Sequence, residues 1–288
     1  MQQRIPTRPK ALLMLGLAPL LTLMVAACES DLDFIAPDPD VFVVQAFLFA
    51  DEPVTAVTVT GVLPIDADST EVTPVISDAS ITLIRDGVRF ELVATSGEPG
   101  HYNYPGADLL IGLGDVFQLE AIVDGKMATA ETAVPLPPVG LALSDDSLEA
   151  PVFQPGGGGR GGGGGGGGIL AAGITAKWSN ASRQLHFVVI DNLEASPEIL
   201  PTTEIFSRFA ARIVQQPTAA DSSVVRILTL THYGQHRLKL YRVNDEYADL
   251  YEGLEQDSRD LNEPPSNIHG ALGIFSAFSA DSAFFRVH

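Results

Sequence analysis

Ala79-Ser80-Ile81-Thr82-Leu83-Ile84-Arg85-Asp86-Gly87-Val88-Arg89-Phe90-Glu91-Leu92 decides the fold class. Ala79, Ile81 and Leu83 alternate with Ser80 and Thr82, and Val88, Phe90 and Leu92 alternate with Arg89 and Glu91. Period-two alternation sends one set of side chains to each face of an extended chain, so both arms read as half-buried β-strands. Asp86-Gly87 supplies the turn between them, because the two-residue hairpin loop needs residues that tolerate positive φ.

The same pattern recurs on both sides. Upstream, Val41–Leu48 and Val54–Thr60 are rich in β-branched and aromatic residues. Downstream, Gly100-His101-Tyr102 enters a short strand. Phe117, Leu119, Ala121 and Val123 alternate again, and Asp124-Gly125 turns the chain into Met127–Thr132. Pro135, Pro137 and Pro138 close the series. Short strands with turns between them predict an immunoglobulin-like β-sandwich over 41–137.

Residues 138–288 predict a second β-rich unit. Its strands are Ile174–Trp178, Leu185–Ile190, Val224–Thr231 and Arg237–Val243, and Ile268–Val287 reads as a final strand pair. One helix is expected at about 245–256. Asn244 can cap it, Asp245 and Glu246 suit its first turn, and Tyr247, Leu250, Tyr251 and Leu254 share a face. Ile205, Phe206 and Phe209 fit a short helix or a strand nearly equally. The expected fold is therefore mainly β, with one or two short helices. Gly156–Gly168, twelve glycines interrupted by Arg160, reads as a loop insertion or linker. As a coil it spans roughly 20 Å. No Lys-Ser or Lys-Thr follows it, so it is not a phosphate-binding loop.

The N-terminus carries an address. Arg4, Arg8 and Lys10 precede an uncharged apolar stretch, Ala11–Ala27, and Val25-Ala26-Ala27-Cys28 follows the lipobox pattern. The stretch falls short of the roughly 20 residues a membrane span needs. Residues 1–27 therefore read as a lipoprotein signal peptide cut between Ala27 and Cys28, with the Cys28 thiol taking the lipid. Cys28 is the only cysteine, so no internal disulfide can form. Residues 28–40 read as an acidic tether. Its Glu29-Ser30-Asp31-Leu32-Asp33 resembles a surface-export signal and equally fits a solvated segment of an acidic chain. The expected location is the cell envelope, lipid-anchored at the outer membrane.

Removing the three basic residues of the leader takes the net charge from −19 to −22. That charge repels nucleic acid and suits a solvated domain.

A search for chemistry finds no His-Glu-x-x-His, no Gly-x-Ser-x-Gly and no cysteine-based site. His232 and His236 flank Gly234 and are the candidate metal ligands; across a hairpin they would face each other, but a third ligand is missing. Asp66–Glu71 starts like a calcium loop. It has Glu71 where the turn needs glycine and Ser77 where a bidentate Glu belongs, so it reads as a solvated acidic loop. Asp145-Asp146 has no acid/base partner. No cofactor is expected.

Several of these stretches occur together in a known family. The lipobox is followed by the strand Phe42–Phe49, then Asp78–Leu83, the Asp86-Gly87 turn, Gly100-His101-Tyr102, Gly114–Leu119 and Val134-Pro135. Near the end stands Pro264-Pro265-Ser266-Asn267-Ile268-His269-Gly270-Ala271-Leu272-Gly273-Ile274-Phe275. The series resembles the outer-membrane lipoproteins catalogued as domain of unknown function 4249. Gly156–Gly168 departs from that pattern, as does Ala271 where a second glycine is usual. The resemblance implies a companion of a TonB-dependent outer-membrane receptor in nutrient uptake. The expectation is a non-catalytic accessory or binding lipoprotein, held in the membrane through Cys28. The alternatives are a lipid-anchored hydrolase and a structural envelope protein. Gly270 and Gly273 beside Phe275 mark Asn267–Phe275 as the candidate docking surface, or as tight turns of a final hairpin.

Overall fold

The computed structural model describes residues 41–63, 67–68, 70–150, 173–200, 212–253 and 266–288, which belong to one compact unit. The expected signal peptide, Cys28, the expected tether, Gly156–Gly168, the segment around Ile205–Phe209 and the predicted helix beyond residue 253 lie outside the described residues.

The first half is a sandwich. β1 (Phe42–Phe49), β2 (Ala56–Gly61) and β5 (His101–Asn103) form one sheet. β3 (Ser80–Arg85), β6 (Val116–Val123) and β7 (Lys126–Ala133) form the other. β4 (Val88–Ala94) pairs with β3 through Leu92 and with β5 from Val93, and so passes from one sheet to the other. The order 1-2-5-4 facing 3-6-7 is that of a constant-type immunoglobulin domain. The alternation read in the sequence is its cause. Val44, Ala46, Leu48, Ile81, Leu83, Phe117 and Leu119 point inward and are buried. Asp86-Gly87 and Asp124-Gly125 turn with φ of 50° and 78°, and 50° and 81°.

The second half is also a sandwich. β8 (Val139–Leu143), β10 (Gly173–Ser179) and β13 (Ser222–Arg226) make a three-stranded sheet. It packs on β11 (His186–Asn192), β14 (Gly234–Arg242) and the last strand, burying Ile174, Trp178, Val188, Ile190, Leu238 and Leu240. β12 (Arg212–Val214) lies at the edge of β11, and β9 (Ser147–Leu148) beside the last strand. The segment read as a strand over Val224–Thr231 leaves the sheet at Arg226 and makes a 3-10 turn at Ile227–Thr229.

The tail, expected as a strand pair, is one strand, β15 (Leu272–Val287). Its first part runs parallel to β1, from Leu272 opposite Val43 to Phe278 opposite Phe49. Its second part runs antiparallel to β14, from Ser279 opposite Arg242 to Val287 opposite Gly234. One strand therefore serves both sandwiches, and its 16 residues separate the two ends by roughly 50 Å at the usual strand rise. On the other face of this sheet lies the helix α1 (Asp245–Gly253). Tyr247 packs there with Phe47, Phe187, Tyr241 and Phe278. The Asn244 carbonyl accepts the first helical bonds, from the Tyr247 and Ala248 amides. Its Nδ2 donates to the Ala133 carbonyl at 2.6 Å and ties the helix to β7. Among the described residues no helix is long and apolar enough to cross a membrane.

Candidate functional site

The two candidate metal ligands do not face each other across a hairpin, because β13 and β14 belong to different sheets. His236 shares the inward parity of Leu238 and Leu240 and is buried. Its Nδ1–H donates to the Gly234 carbonyl at 3.0 Å, and Nε2 accepts from Asn192 Nδ2 at 3.2 Å. The ring stacks on Phe285 with centroids 5.2 Å apart. Burial pushes its pKa down and the nearby His232 adds to this, against the opposing pull of the Gly234 carbonyl and Glu194. Both ring nitrogens are engaged, so no lone pair remains for a metal. His232 is half-buried; its main chain bridges Ile199, and Nδ1 lies 2.7 Å from the hydroxyl of buried Thr231. Among the described residues no three His, Cys, Asp or Glu side chains are grouped to share a metal ion.

Asp145 is used locally, its Oδ1 accepting from the amide and hydroxyl of Ser147 at 3.2 and 3.3 Å. Asp66 and Ser69 of the acidic loop lie outside the described residues; within the loop, the Glu71 amide donates to the Asp68 carbonyl at 2.8 Å.

The candidate docking surface Asn267–Phe275 is turned inward in part. Ile268, Ile274 and Phe275 are buried. Asn267 Nδ2 donates to the Phe275 carbonyl at 2.7 Å, and its Oδ1 accepts from the Phe275 amide at 2.9 Å, so the side chain acts as a short strand on that edge. His269 exchanges two main-chain bonds with Thr129, closing the open side of β7. The glycines permit close approach of the chain's own strands. A β-carbon on Gly270 would lie 2.5 Å from the Met127 carbonyl oxygen, and one on Gly273 would overlap Val44. The motif locks β15 to β1 and β7 and is not a hairpin turn; His269 and Gly270 stay exposed, and Asn267 and His269 line a cleft of about 430 Å³ with Gln118, Glu120, Thr129 and Glu131.

An open site does form at the Val287 end of β15. Segment 193–200 runs back along 231–235, through Tyr233 N to Glu198 O at 2.8 Å and Leu200 N to Thr231 O at 2.9 Å. Beside them His288 bonds to the segment after β9, its amide donating to the Leu148 carbonyl and its carbonyl accepting from the Ala150 amide. Between these segments lies a cleft of about 440 Å³ lined by Glu194, Ser196, Glu198, Tyr233, Arg286 and His288, among others. Glu194 is held from two sides. Asn192 Oδ1 accepts its amide at 3.0 Å, and its Oε1 accepts the Gln235 amide at 2.8 Å. Its side chain crosses directly over Gly234, whose φ of +98° and missing β-carbon make the room. Arg286 Nη1 stands 3.7 Å from Glu194. The cleft thus offers carboxylates, one guanidinium, a phenol, a hydroxyl and an imidazole. Such a set can recognise a polar or charged surface. The sequence reading missed these residues because they come from three separate segments. The one local signal was Gly234, a glycine opening a strand, which marks close approach of another group.

The family model for a domain of unknown function, DUF4249, matches residues 29–283. No curated protein matches the chain. Among solved structures, domains A168–A170 of titin match with 10% identity and a TM-score of 0.20, over 85% of this chain and 62% of that one. The immunoglobulin-like description of the first sandwich rests on its strand pairing.

Proposed function

The chain belongs to the family of domain of unknown function 4249, and on that premise we propose that it is a lipid-anchored, non-catalytic envelope protein. It holds a partner at the end of its shared sheet farthest from the anchor. The observation that carries this reading is the polarity of β15. The chain enters β1 beside Leu272, whereas the open polar cleft lies beside Val287, roughly 50 Å away at the usual strand rise. A rigid sheet that presents converging segments at the end opposite its attachment suits recognition of another molecule. The lipobox at Cys28 supports an anchor, and the family resemblance implies a TonB-dependent outer-membrane receptor as the partner. The mature charge of −22 opposes nucleic acid as a partner.

The test is affinity purification of the tagged full chain from solubilised outer membrane. Recovery of one stoichiometric outer-membrane protein supports the reading. No stoichiometric partner, together with a hydrolytic activity that disappears on replacing one polar residue, would favour a lipid-anchored hydrolase instead.

A further inference from the structure

We infer that the end of the first sandwich where β1 begins rests on the surface of a zwitterionic bilayer, with Val72, Val75 and Met127 as its apolar contacts. The inference rests on the reading that Cys28 carries lipid.

Three observations converge on this end. Val72, Val75 and Met127 are 83%, 53% and 60% exposed, large values for aliphatic side chains. Val75 bridges Thr60 near the end of β2, and Met127 follows the Asp124-Gly125 turn. Between these two places opens a cleft of about 360 Å³ walled by Val41, Phe42, Val62, Pro74, Ile76 and Val123. The chain enters at the same place, since Phe42 pairs with Gly61.

Twelve residues separate Cys28 from Val41. As a coil they span roughly 20 Å, and fully extended at most about 45 Å. A tether this short makes contact between sandwich and bilayer an intramolecular event, so a small apolar patch is sufficient. The lipid chemistry follows from charge. Glu71, Asp78 and Asp124 lie at this end against Lys126, which lines the same cleft, so the end carries net negative charge and is repelled by anionic headgroups. A neutral headgroup such as phosphatidylethanolamine carries no such penalty. Seated this way, the protein points its polar cleft away from the anchoring membrane.

Once Cys28 is lipidated, an introduced cysteine is the only free thiol. Full-length lipidated protein carrying Val72→Cys, Val75→Cys or Met127→Cys is labelled with a fluorophore and reconstituted in phosphatidylethanolamine–phosphatidylcholine vesicles. Phe284→Cys, on β15 toward the cleft and 52% exposed, is the distal control. Flotation comes first. Protein that does not float overturns the anchor and this inference with it. In floating protein the account expects several-fold lower access of an aqueous quencher at the three basal labels than at the control. Equal access at all four positions overturns the inference and leaves the anchor standing.

Discussion

Gly273 in β15 sits so close to β1 that a β-carbon on it would overlap the carbonyl oxygen of Val44, and its φ is +119°. The close approach that glycine allows is spent inside the molecule, joining the last strand of the chain to the first. An L-residue there meets both backbone strain and an occupied space.

Gly273→Ala is therefore expected to destabilise the protein by roughly 3 kcal/mol or more, the range of a backbone clash that the core cannot absorb. Gly87→Ala is the comparison. Its φ is +78° but nothing lies within 4 Å, so only conformational strain of about 1 kcal/mol is expected. Denaturant unfolding of the two variants measures the difference. Equal losses would mean that β15 does not pack on β1 as described.

Asn267→Ala removes two hydrogen bonds to the Phe275 main chain, and leaves a buried amide and carbonyl without partners. The expected loss is about 2 kcal/mol. Increased hydrogen exchange at the Phe275 amide in this variant is the specific readout.

Acid should weaken the second sandwich. His236 and His186 are both pushed below the ordinary histidine value of 6.5, chiefly by burial. In the window between their folded values and 6.5 the unfolded chain binds more protons than the folded one. Their contribution is thus full above about 6.5 and is lost as the pH falls through that window. His236→Gln should flatten the slope of stability against pH between 5 and 7. An unchanged slope would contradict the burial of this ring.

Much of the first sandwich was legible because each strand carries its own evidence. The alternation of Ile81 and Leu83 with Thr82, and the Asp86-Gly87 turn, are local facts. β15 was not legible in the same way. Its polar middle, Ser279–Ser282, breaks the apolar pattern at the point where the strand changes partner from β1 to β14. Those partners are some 230 and 40 residues upstream, so continuity is fixed by tertiary pairing. His236 could have been placed inside by its shared parity with Leu238 and Leu240, but its nearness to Gly234 suggested a surface turn. The cleft was invisible because Glu194, Tyr233 and Arg286 meet only when β11, β14 and β15 align.

Partner binding should separate from stability at the cleft. Arg286 and Glu194 are half-exposed and 3.7 Å apart, a pairing worth at most about 1 kcal/mol. Arg286→Ala and Glu198→Ala are expected to leave thermal unfolding nearly unchanged while reducing co-purification of the partner. Variants that lose stability in step with binding would make the cleft structural.

The most direct measurement places a photo-crosslinking residue at Ser196, exposed in the cleft, and another at Gly97, in the exposed turn between β4 and β5 at the other end of the sheet. Irradiation of intact cells should join the Ser196 variant to one outer-membrane protein and leave the Gly97 variant free of it. A crosslink to that protein from Gly97 with none from Ser196, or none from either position, would contradict a partner held at the distal end.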